Sequence, residues 1–457
     1  MPAQPARPRS AFLRRGIALA ALATVPALAR AADLPEPPSL GPVPVDFILF
    51  ATVLAGVAIF HHHTLRVALA GFAAISLYKI AFSPFVLGAG VAGFATHLAH
   101  EWVLIANLLL LLMGFALLSR HFEESHVPAW LPRLLPDDWK GAFVLLVIIF
   151  VLSSFLDNIA AALIGGTIAG VVFRGKVHVG YLAAIVAASN AGGSGSVVGD
   201  TTTTMMWLAG VSPLAVVHAF VAAGVALVVC GIPASIQQHR HQPILKHARR
   251  GHHVQWTSLG VVFFILALAI VVNVFVNTRL GEAGERFPFI GAAVWAAILA
   301  CAPVRRPDWS LVPGALRGAI FLLSLVWSAS LMPVHELPAA SWQAALQLGF
   351  VSAVFDNIPL TALAIRQGGY DWGVLAYAVG FGGSMIWFGS SAGVAICTMY
   401  PDARSAGRWL AGGWHVVLAY VAGFFVMLAL LGWHPTPKRA DAPPGAAPPA
   451  IAAPAKG

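Results

Sequence analysis

The sequence predicts an all-α polytopic membrane protein of two inverted-topology repeats. Each repeat has three scaffold helices, a re-entrant hairpin, a broken helix and a final helix. Three observations predict it. The chain is 59% hydrophobic and only 10% charged, against roughly 25% charged in an average soluble domain. The run S-S-F-L-D-N-I at 153–159 comes back as S-A-V-F-D-N-I at 352–358, each inside a long apolar stretch. Each copy is followed by a Gly/Ser-rich break, N-A-G-G-S-G-S-V-V-G-D-T at 190–201 and G-F-G-G-S-M-I-W-F-G-S-S at 380–391. Aligned on Gly-Gly-Ser, the two breaks share G-G-S-x-x-x-x-G-[DS]-[TS].

Spanning a bilayer takes about 20 apolar residues as a helix. The first half offers spans near 45–60, 64–83 and 102–118, an interrupted block 142–173, a broken helix 181–208 and a last span 212–233. The second half offers 256–276, 287–303 and 313–332, then 341–366, 372–398 and 409–432, in the same order. As one straight helix, block 142–173 would be about 48 Å long, beyond a hydrocarbon core of roughly 30 Å. Folded at Asp157-Asn158 it becomes a hairpin that dips in and returns. Non-helical backbone at that depth survives only where protein or a water-filled cavity covers it.

If the hairpins do not cross, each half crosses five times, and an odd number inverts the second half. Loop charges agree. Arg240, Lys246, Arg249 and Arg250 mark a cytoplasmic loop. Tracing outward from it puts Arg66, Arg120, Lys140, Arg174 and Lys176 inside, with Arg305, Arg306, Arg404 and Arg408. The opposite loop balances Arg279 and Arg286 against Glu282 and Glu285, while Lys438 and Arg439 fall outside, against the rule. The domain reading is therefore a signal peptide 1–31, a linker 32–44, membrane repeats 45–233 and 256–432, a His/Arg-rich cytoplasmic loop 234–255 and a disordered Pro/Ala-rich tail 433–457.

The formal charge of +9 falls to +4 without residues 1–31, which hold five arginines and no acid. Arg14 and Arg15, an apolar core and Ala29-Arg30-Ala31 read there as an export signal. The remaining positive balance suits lipid head groups and not nucleic acid. Cys230, Cys301 and Cys397 stand isolated in apolar runs and read as packing residues.

A carboxylate is costly in an apolar segment, so two at matching depths need an explanation. Duplicated transporters place their site where two halves meet, built from discontinuous helices. The tips offer Asp157, Asn158, Asp356 and Asn357. The breaks offer Asn190, Ser194, Ser196, Asp200, Thr201 and Thr202, with Ser384, Ser390 and Ser391 opposite. These are hard oxygen ligands suited to Na⁺, Li⁺ and protons, with Asp157, Asp200 and Asp356 as the sodium candidates. The unwound segments also supply free backbone carbonyls and amides. No Lys or Arg lies near these groups in the four elements, which favours a cation over a polyanion. Duller roles stand beside these: Asp200 suits a helix cap for 201–207 as well as a ligand, and Asn158 and Asn357 suit hairpin backbone as well as an ion.

Histidines at 61–63, 97, 100, 121 and 126, and between 239 and 253, raise a histidine-metal membrane enzyme as a remote alternative. Most lie at span ends and no H-x-x-H-H set recurs. The loop histidines also suit a pH sensor.

At 190–207, N-A-G-G-S-G-S-V-V-G-D-T-T-T-T-M-M-W resembles the signature of NhaD-type sodium/proton antiporters. So does L-A-Y-A-V-G-F-G-G-S-M-I-W-F-G-S-S-A-G-V-A at 375–395, after D-N-I-P-L at 356–360. That family sits in an ion-transporter superfamily with citrate/dicarboxylate symporters and arsenite pumps, which gives the alternative carrier. The resemblance covers most of 45–432 in element order. It implies scaffold helices, a mobile unit with two hairpins, a homodimer, and a site over Asp157-Asn158, Asn190 to Thr202, Asp356-Asn357 and Ser384 to Ser391. The reading is thus a secondary transporter and not an enzyme, exchanging Na⁺ or Li⁺ for H⁺ by alternating access at a midplane carboxylate site. No cofactor is implied beyond the coupling ions Na⁺ and H⁺. Its partners are the small cation and the lipid bilayer. It belongs in a bacterial inner membrane, with the mature N-terminus and the C-terminus periplasmic.

Overall fold

The computed structural model describes residues 38–60, 63–85, 88–126, 134–244 and 254–435. The signal peptide, most of the linker, His61, His62, Lys246, Arg249, Arg250, Lys438, Arg439 and the side chains of Glu282 and Glu285 lie outside the described residues.

After a two-residue strand pair, Ser39–Leu40 with Val43–Pro44, the chain is helical. The first half runs α1 (Val45–Ile59), α2 (Thr64–Phe82), α3 (Gly90–Glu124), α4 (Trp139–Ser153), α5 (Asn158–Val172), α6 (Val179–Ser194), α7 (Thr201–Leu208), α8 (Pro213–Val217) and α9 (Ala219–His241). The second runs α10 (Trp256–Phe275), α11 (Phe289–Cys301), α12 (Val312–Ser330), α13 (Trp342–Ser352), α14 (Asn357–Gln367), α15 (Trp372–Gly382), α16 (Ser391–Met399), α17 (Ala406–Gly412) and α18 (Trp414–Leu431). Element order in the second half follows the first. Among the described residues, six helical stretches are long and apolar enough to cross a membrane, and the protein is an all-α polytopic membrane protein.

Local sequence explains the boundaries. Asp138, Ser341 and Asp371 cap α4, α13 and α15 through their side chains, satisfying amides that have no partner in the first turn. Gly368 and Gly432 end α14 and α18 with φ of 73° and 75°, a backbone region open to glycine.

Two bodies of helices result. Helices α4 to α9 and α13 to α18 pack around the broken helices α6 and α15, which touch each other and are buried along almost their whole length. Helices α1 to α3 and α10 to α12 form the second body, in which α3 packs on α11 and α2 on α12. Outward-facing apolar residues such as Leu77, Val271 and Leu430 stay exposed, as a lipid-facing surface requires.

Three boundaries differ from expectation. The third span is not 102–118 but the 35-residue α3. It continues through His97 and Glu101 because both find interior partners: His97 Nε2 lies 2.9 Å from Ser330 Oγ, and Glu101 accepts from Arg366 at 2.6 Å. Helix α9 passes through Pro233 to His241, so the expected loop starts several residues later than 234. The last span begins at Trp414, after the separate short helix α17.

Candidate functional site

Four helices begin at the heart of the first body, and the residue before each one caps it. Asp157 accepts from the Ile159 amide at 3.1 Å, Asp356 from Ile358 at 3.0 Å, and Asp200 from Thr202 at 3.2 Å. Ser390, which the motif alignment sets opposite Asp200, accepts from Gly393 at 3.3 Å. The capping role weighed only for Asp200 therefore belongs to all three aspartates, since each hairpin tip is also a helix start.

The elements interlock across the halves. Helix α5 of the first hairpin packs on α16 beyond the second break, and α14 of the second hairpin packs on α7 beyond the first. Asn190 is the knot: its Nδ2 donates to Ser384 Oγ at 2.9 Å and to Ser390 Oγ at 3.2 Å, while its Oδ1 accepts from Asn158 at 3.1 Å. Ser391 donates to Asp356 Oδ2 at 3.2 Å. The Asp200 carboxylate is within electrostatic reach of both Asp157 and Asp356. Asp157 and Asp356 are half-buried and Asp200 is buried.

A cavity of about 500 Å³ reaches this place. Asp157, Asn158, Asp200, Thr201, Asn357 and Ser391 line it on one side, and apolar residues of α3 and α12 on the other. Asp356 is not in its wall. Among the described residues, no three of His, Cys, Asp and Glu are grouped to hold a metal ion. The three sodium candidates thus share a neighbourhood without closing into one compact triad.

In the first hairpin and break, several carbonyls expected to be free are instead met by hydroxyls. Ser196 donates to Ser154 O, Ser154 to Gly192 O, and Ser189 to Asn158 O. Thr203 donates to Ser196 O, and Thr204 to Val197 O and Asp200 O. Unwound backbone away from water is normally paired, and in the first break the hydroxyl side chains do much of that pairing. Ser194 serves its own helix by donating to Ala191 O. Thr202 is buried, with its hydroxyl beside the Asp200 carboxylate but without a hydrogen bond of good geometry.

Sequence reasoning missed Arg120, which lines the cavity from α3. It sits 3.3 Å from Glu124 and 3.7 Å from Asp308. The Ser310 hydroxyl holds the Asp308 carboxyl below its ordinary range, so Asp308 stays ionised beside the arginine. Gly314 and Gly318, about one turn apart on α12, also line the cavity, and neither would bring a Cβ against a neighbour.

No protein-family model matches the chain. It is 28% identical over 308 residues to sodium/proton antiporter 1 of Arabidopsis thaliana, covering 57% of this chain and 50% of that protein. It is 27% identical over 294 residues to sodium/proton antiporter 2 of the same plant, covering 55% and 67%. The match to the first spans half of that relative's length.

Proposed function

We propose that the chain is a secondary antiporter exchanging Na⁺ or Li⁺ for H⁺. Asp157, Asp200 and Asp356 alternate in it between protons and the cation at a midplane site. The names of the two plant relatives support the class of activity. The observation that carries the ion's sign is the charge at the four helix starts. Each N-terminus contributes roughly half a positive charge, so alone the four would attract an anion. When deprotonated, the three carboxylates outweigh them and leave about one net negative charge, the complement of one monovalent cation. Arg120, the cationic side chain in the cavity wall, is matched by Glu124 and Asp308.

Alternating access has its own support. Helices α3 and α5 face each other across the cavity, while their counterparts α12 and α14 are packed together. An inverted repeat with re-entrant hairpins accounts for one gap open and its mate shut. The same reading makes the protein a homodimer of the bacterial inner membrane with both termini outside, and puts the cavity mouth at the cytoplasmic face beside Arg120 and Arg305.

The test uses everted vesicles carrying the protein. Added Na⁺ or Li⁺ should move protons, and labelled citrate should not accumulate. Citrate uptake with no cation-dependent proton movement would hand the site to the anion-carrier alternative.

A further inference from the structure

The motif alignment sets equivalent residues around two positions, one for each hairpin. At the first stand Asn158, Asn190, Ser384 and Ser390, closed by the three hydrogen bonds of Asn190. At the second, Asn357 takes the place of Asn158 and Gly380 that of Asn190, with Ser194 and Asp200 replacing the two serines. The carboxamide that plugs the first position is therefore missing from the second. A Cβ on Gly380 would stand 3.4 Å from Asp200 Oδ2 and 3.3 Å from Ser194 Cβ. The absent side chain is what leaves room beside the carboxylate.

The second position is also unsatisfied. Asp200 Oδ2, Thr202 Oγ1 and Asn357 Nδ2 make no well-formed hydrogen bond among the described residues, the Thr202 hydroxyl lying only loosely beside the Asp200 carboxylate, although none of the three residues is more than 3% exposed. Buried polar atoms are normally paired, so unpaired ones on residues that the alignment brings to one position need a reason. Both Asp200 and Asn357 line the cavity, so the position is reachable.

We propose that the second position seats the transported ion, one dehydrated small monovalent cation bound by Asp200 with Thr202 and Asn357 beside it. The first position is a fixed clasp that takes none. Asn357 turns its amide oxygen to the ion, and its Nδ2 has no bond to lose. This inference rests on the cation reading above and adds which half-site holds the ion.

Radioactive sodium binding to the purified full chain in detergent tests it, with Li⁺ and K⁺ as competitors and Tm without Na⁺ as the check on folding. Wild type should bind Na⁺ and release it to Li⁺. Gly380→Ala should weaken binding roughly tenfold or more, because the new methyl touches the coordinating oxygen. Asp200→Asn, which keeps the capping oxygen, should abolish binding. Gly260→Ala, a helix position with open space around it, should bind like wild type. Wild-type affinity in both Gly380→Ala and Asp200→Asn would overturn the assignment and leave the cation reading standing. No binding of Na⁺ or Li⁺ by folded wild type would remove that reading and the assignment with it.

Discussion

Asp157, Asp200 and Asp356 each give one carboxylate oxygen to a backbone amide. Capping and ion binding are therefore separable by substitution. Asn keeps an oxygen for the amide and removes the charge; Ala removes both. Asp157→Asn should reduce cation-driven proton movement to that of empty vesicles while the protein stays folded. Asp157→Ala should be less stable than Asp157→Asn by about 0.5–2 kcal/mol, the usual cost of a lost cap. Vesicle fluorescence and thermal unfolding in detergent read the two effects, and normal exchange by Asp157→Asn would remove that residue from the site. The Asp-Asn pairs were legible in the sequence because a carboxylate in an apolar run is hard to explain as packing. The jobs of Ser154, Ser196, Thr203 and Thr204 were not. A hydroxyl looks the same in a sequence whether it faces an ion or closes a carbonyl, and only the folded break tells them apart.

At the scale of elements, glycine lets the breaks press onto the hairpins. A Cβ on Gly192 would collide with the carbonyl oxygen of Phe150 in α4, and one on Gly382 with that of Gly349 in α13. The obstacle is backbone, which cannot turn aside as a side chain can. Gly382→Ala should cost about 2–3 kcal/mol. Gly224→Ala in α9, where no atom lies near the new Cβ, should instead stabilise by up to about 1 kcal/mol. Equal Tm shifts in the two variants would contradict this account of the breaks. A second pair of elements, α1 and α2, is joined by Lys79 and Asp46, 2.9 Å apart and both buried, with Ser83 donating to the same carboxylate. Lys79→Met alone should destabilise by about 3–5 kcal/mol, since it strands a buried charge. Adding Asp46→Leu should recover most of that loss. A double variant no better than the single would show that packing, not charge, joins the helices. Element order was readable throughout, because apolar length and Gly/Ser interruption are one-dimensional signals. The ends of α3 and α9 were not, since a polar residue extends a helix when a partner from a distant segment meets it, as Arg366 meets Glu101.

For the whole molecule, the two bodies meet asymmetrically, and that asymmetry makes a testable state. The cavity separates α3 from α5, while the matching contact between α12 and α14 is shut, and the Arg366–Glu101 pair adds a tie from α14 to α3 of the scaffold. If transport rocks the hairpin body against the scaffold, opening one gap must close the other. Ala315, in the cavity wall, and Ala329, fully buried further along α12, then report opposite states. Cys230 and Cys397 are buried and Cys301 is only partly covered, so a Cys301→Ser background leaves little native reaction. In that background, Ala315→Cys should react quickly with a membrane-impermeant thiol reagent from the cytoplasmic side, and Ala329→Cys slowly from either side. Glu101→Gln weakens the lock on the shut gap. It should raise labelling at 329 from the outer face and lower it at 315 by the same change in population, because one equilibrium governs both. Rates at 315 and 329 that moved independently would mean that the gaps are not two faces of one motion.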